Sequence, residues 1–70
     1  MHINATAASA ERVLELARAQ LDSEIQDKAL VEILFGYVEQ RINELPAPGG
    51  RVYEITADVN IDVQAYLRIP

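Results

Sequence analysis

From Tyr53 to Ile69 the chain alternates without a break. Tyr53, Ile55, Ala57, Val59, Ile61, Val63, Ala65, Leu67 and Ile69 form one set, and Glu54, Thr56, Asp58, Asn60, Asp62, Gln64, Tyr66 and Arg68 form the other. Successive side chains of a strand point to opposite faces, so a period of two means β structure with one face on an apolar layer and the other in water. One straight strand of this length would reach about 56 Å at ~3.3 Å per residue, far beyond the roughly five or six residues usual for a strand. The economical form is an antiparallel hairpin turning at Asp58-Val59-Asn60, with Asn60 in the left-handed region. The alternative is one long, bulged strand paired between subunits.

Two helices are expected ahead of this segment. Ala10, Val13, Leu14, Ala17 and Leu21 recur at three- and four-residue steps, with Glu11, Arg12, Glu15 and Arg18 on the other side. That spacing predicts a helix over residues 6–21, capped by Asn4 or Thr6. Ser23 and Gln26 stand in capping-box spacing and predict a second helix from Ser23 to about Leu45. Pro46-Ala47-Pro48-Gly49-Gly50 ends it, because proline removes donors and paired glycines admit φ values other residues avoid.

The second helix carries Leu30, Val31, Ile33, Leu34, Phe35, Tyr37 and Val38, more apolar surface than one neighbour can cover. Gly36 costs about 1 kcal/mol relative to alanine inside a helix, and the expectation is a close crossing there. At 70 residues, with no cysteine and one histidine, neither a disulfide nor a zinc site can reinforce a small core. Self-association is the remaining reinforcement. Val31, Phe35, Gly36, Val38 and Ile42 are the candidate oligomer interface. Residues 1–70 are therefore read as a single α+β domain: a two-helix hairpin followed by a C-terminal β-hairpin or long strand. The helices lie on one face of a sheet that a second subunit completes.

Eleven acidic residues against six basic ones give a net charge of −5. A chain so charged repels phosphate backbones and anionic lipid surfaces, which argues against direct nucleic-acid or membrane binding. The N-terminal residues do not read as a signal peptide, no apolar run approaches the ~20 residues needed to span a bilayer, and a cytoplasmic location is the default expectation.

Candidate chemistry is sparse. Asp58-Val59-Asn60-Ile61-Asp62 matches the D-x-N-x-D opening of a calcium loop, but Val63 and Ile69 stand where that loop needs Gly and Glu. No metal and no cofactor is expected. His2 has no carboxylate or nucleophile at a recognisable spacing, Ser9 and Ser23 read as helix-start residues, and Glu11 and Glu15 lie on a solvated helix face. Pro48-Gly49-Gly50-Arg51 precedes a strand, whereas phosphate loops follow one, so it reads as a connector.

What remains is the wet face of the β segment. Glu54, Asp58, Asn60, Asp62, Gln64, Tyr66 and Arg68 form a candidate partner-binding surface. Tyr and Arg are enriched at binding hot spots, and folding does not require them on a wet face. The expected function is that of a non-enzymatic, acidic protein-binding module, a homo-oligomeric regulator or inhibitor, for example of phage or mobile-element type. Two alternatives are a nucleotide- or metabolite-binding protein with its pocket between subunits, and a structural assembly subunit.

Overall fold

The computed structural model describes residues 2–58 and 62–70. It is α+β, with two helices on one face of a three-stranded antiparallel sheet. The elements in chain order are β1 (Ile3–Ala7), α1 (Ala10–Glu24), α2 (Lys28–Asn43), β2 (Val52–Ala57) and β3 (Gln64–Arg68). The strands lie in the order β1-β2-β3, so the strand formed late in the chain occupies the centre.

The C-terminal hairpin is as expected in kind. β2 and β3 are two antiparallel strands, which excludes the single long strand. Tyr53, Ile55 and Ala57 are buried, as the alternation predicts. The ladder runs from Val52↔Arg68 to Thr56↔Gln64, so the connection is longer than the expected three-residue turn. Val59 and Asn60 of that turn lie outside the described residues.

The N-terminus corrects the expectation of two leading helices. Residues 3–7 form β1 and pair with β2 from Ile3↔Ala57 to Ala7↔Tyr53. The third strand of the sheet thus comes from this same chain. Ile3 and Ala5 turn inward and Asn4 and Thr6 outward, a short period of two. Helix α1 begins at Ala10, not at residue 6, because Ser9 takes extended backbone and its Oγ accepts a hydrogen bond from the Arg12 amide at 3.2 Å. Asn4 and Thr6 are therefore strand residues rather than caps.

The second helix start also moves. Ser23 lies in the last turn of α1, and Asp27 caps α2 by accepting from the amides of Ala29 at 3.0 Å and Leu30 at 3.3 Å. The stop holds: Leu45 N donates to Ile42 O, and the chain then turns through Gly49 at φ 57° and Gly50 at φ 88°, with Arg51 N donating to Pro48 O at 3.0 Å. Two successive positive φ values make this a connector that glycine fills without strain.

Val13, Ala17 and Leu21 of α1 and Val31, Leu34, Val38 and Ile42 of α2 are buried on the inward face of the sheet. Helix α1 lies over β1 and β2, and α2 over β3. One part of the core gathers Val13, Ala17, Val38, Ile42, Tyr53 and Ile55; the other gathers Ile3, Leu21, Val31, Leu34 and Ala57; Val63 packs against both. Arg18 ties the helices together outside the core, pairing with Glu32 and Asp22 and stacking over the Phe35 ring at 5.2 Å. Among the described residues, no charged or polar group is buried and no helix is long and apolar enough to cross a membrane.

These contacts relocate much of the expected oligomer interface. Val31, Val38 and Ile42 belong to the chain's own core, because the helix face that carries them meets the sheet. Phe35 is half-buried beneath Arg18. Gly36 is exposed, and a Cβ placed there would meet nothing within 4 Å, so no close crossing explains it. The surplus apolar surface of α2 is instead Ile33 at 58% and Tyr37 at 53% exposure.

Candidate functional site

Inward-facing residues of the sheet are consumed by the helices, which leaves the opposite face open. Alternation places Glu54 and Thr56 of β2 on that face, between Asn4 and Thr6 of β1 and Gln64, Tyr66 and Arg68 of β3. The register sets these side chains in cross-strand rows, Asn4 with Thr56 and Gln64, then Thr6 with Glu54 and Tyr66.

Glu54 is the centre of the face. Its side chain is 14% exposed, and its Oε1 forms an ion pair with Arg68 Nε at 3.1 Å. Hydrogen bonding to the Glu54 carboxylate is also the main reason the Tyr66 hydroxyl titrates above the usual tyrosine range; desolvation and the charge of Glu54 add to this, and Arg68 opposes it. One carboxylate therefore lies beside both a phenol and a guanidinium, the pair of side chains singled out by composition. Tyr66 keeps 39% of its surface exposed, so its ring is accessible.

Beyond β2, Asp58 and Asp62 are exposed and adjacent: the Asp62 amide donates to Asp58 Oδ1 at 3.3 Å, and Gln64 Nε2 donates to Asp62 Oδ2 at 3.4 Å. The structure thus groups Glu54, Gln64, Tyr66 and Arg68 on the strands and Asp58 and Asp62 at the hairpin end, while Asn60 lies outside the described residues. The face is polarised, acidic at the hairpin end and neutralised at the Arg68 end by the Glu54 pair.

Asn4, Thr6 and Thr56 complete the face. Thr56 was visible in the alternation; the two β1 residues were missed because an alanine-rich start reads as helix. The signal available was Ile3, Ala5 and Ala7 alternating with Asn4 and Thr6, too short to stand out among alanines.

A hollow of about 180 Å³ at the hairpin end is lined by His2, Thr56, Ala57, Asp58, Asp62 and Gln64. It falls below the ~300–1,000 Å³ of ordinary ligand pockets. A shallower groove of about 450 Å³ follows β3, lined by Arg41, Asp62, Val63, Gln64, Ala65 and Tyr66. No cluster of three or more metal-ligating side chains occurs among the described residues. Comparison of the chain with protein-family models, with curated proteins and with solved structures found no match.

Proposed function

We propose that this chain is a non-enzymatic protein-binding module, a regulator or inhibitor of a partner protein, which engages that partner through the open face of its sheet. The observation that carries the reading is the Glu54–Tyr66–Arg68 cluster: an accessible aromatic ring and a guanidinium gathered by the strand register around one carboxylate, on the sheet face opposite the helices. Tyr and Arg are the residue types most enriched among the few side chains that dominate binding energy at interfaces.

The polarity of the face selects the partner. Asp58 and Asp62 at the hairpin end suit a basic segment, and with a net charge of −5 the whole molecule attracts one. Small-molecule binding is less well supported, since the hollow at the hairpin end is undersized and the roomier groove along β3 is open to solvent rather than enclosing.

The test compares capture of a partner from source-cell extract by the native chain and by two variants, Asp58→Lys/Asp62→Lys and Tyr66→Ala/Arg68→Ala. Each variant is expected to lose the captured protein while its circular-dichroism spectrum is retained. The association rate of the native pair should fall steeply between low and high salt. Capture that survives both variants would remove the sheet face from consideration.

A further inference from the structure

The two edges of the sheet are finished differently. Helix α1 covers the β1 edge in part: Gln20 Oε1 accepts from the Asn4 amide at 2.9 Å, and Gln20 Nε2 donates to the Asn4 carbonyl at 2.7 Å. In an antiparallel ladder the N–H and C=O of one residue point the same way, and the direction alternates along the strand. Asn4 thus points away from β2, and Ile3, Ala5 and Ala7 bond to Ala57, Ile55 and Tyr53. The same alternation carried across β2 directs Val52, Glu54 and Thr56 toward Arg68, Tyr66 and Gln64. The backbone groups of Ala65 and Leu67 are then left facing outward along β3.

Nothing among the described residues covers that edge. β3 contains no proline, and the groove beside it exposes Val63, Ala65 and Tyr66 with Arg41 of α2 at its rim. Tyr37, one of the two large apolar residues left exposed on α2, lines an adjoining hollow with Arg41, Asp62 and Val63. An open strand edge next to exposed apolar surface invites pairing with another strand.

We propose that the occupant is a second copy of this chain, with the two β3 strands pairing antiparallel about a two-fold axis at Ala65 to form a continuous six-stranded sheet. Only registers that oppose odd residues to odd residues match the outward backbone groups and keep the polar face on one side. Among these, the register centred on Ala65 is the one that sets opposite charges face to face within residues 62–68, the stretch that holds β3. It places Asp62 against the partner copy's Arg68, and Arg68 against the partner copy's Asp62. Gln64 meets Tyr66, Val63 meets Leu67 and Ala65 meets Ala65, so apolar residues oppose apolar ones on the helix side. About two backbone hydrogen bonds would form between the Ala65 residues, and about four more where Val63, just ahead of β3, continues the strand line opposite Leu67. The pairing does not depend on the proposed partner-binding function; it joins two polar faces side by side.

Light scattering and sedimentation in about 150 mM salt, where the Debye length of ~8 Å screens the net charge of two copies, read the outcome directly. The expected mass is twice 7.8 kDa. Amide exchange in the native protein should show Ala65 and Leu67 protected, a pattern an open edge cannot give. Ala65→Pro removes only an outward N–H and should yield a monomer with β2 and β3 still paired. Asp62→Arg and Arg68→Asp should each lower the fraction of dimer, and the double exchange should restore it.

A native monomer at several hundred micromolar, or fast exchange at Ala65 and Leu67, overturns the proposal, as does a folded Ala65→Pro variant that remains dimeric. Failure of the double exchange to restore pairing overturns the register.

Discussion

Gly36 shows how a single residue misleads when its surroundings are unknown. Glycine inside a helix is unfavourable, and a tight crossing is the usual compensation. Here the position is solvent-exposed and roomy, so the cost is uncompensated. Gly36→Ala should therefore stabilise the chain by about 1 kcal/mol. In a domain of this size that raises the melting temperature by roughly 4–8 °C, which a thermal melt measures. Tyr66 carries a second prediction. Its phenol keeps its proton more tightly in the folded chain than in the unfolded one. The stability linked to it is present below the ordinary tyrosine range and is lost as the pH rises through the raised value. Glu54→Gln should bring the Tyr66 titration back toward that ordinary range, visible in its ring resonances by NMR.

At the scale of elements, legibility followed the length and chemistry of each repeat. The C-terminal alternation joins large apolar side chains to charged ones over many residues, and both strands, their facing and their antiparallel sense were readable from it. β1 has only five residues, and its inward positions include Ala5 and Ala7, which a helix accepts as readily as a strand. What makes it a strand is pairing with residues some fifty positions later, a tertiary fact that no local window contains. The helix boundaries moved for a related reason: Ser9, Ser23, Asp27, Asn4 and Thr6 can all cap, and packing of Val13, Ala17 and Leu21 against the sheet decides which of them does. The Gln20 clasp on β1 gives this scale its prediction. Gln20→Ala should speed hydrogen exchange at the Asn4 amide and cost about 1 kcal/mol, leaving the β2–β3 amides unchanged. Equal exchange in both proteins would show that the clasp does not protect the edge.

For the whole molecule, the margin is narrow. A chain of 70 residues is expected to be stable by about 4–10 kcal/mol. Ile55 is fully buried on the central strand, among core residues from both helices. Ile55→Ala should cost about 2–5 kcal/mol, enough to remove much of that stability, and a denaturant titration would show the midpoint collapse. The candidate site was legible as a list of residues but not as an arrangement. Glu54 was one polar residue among seven until the cross-strand register set it beside Tyr66 and Arg68.

The position of β2 has a consequence for synthesis. The first strand made finds its partner only after both helices and the Pro-Gly connector have been built, so a nascent chain on the ribosome carries an unpaired β1 and the apolar stripe of α2 in the open. Such distant closure slows folding relative to a helical bundle of equal length. A stalled or truncated product ending near Pro48 would therefore present Val31, Leu34 and Val38 to chaperones and proteases rather than a partly working protein.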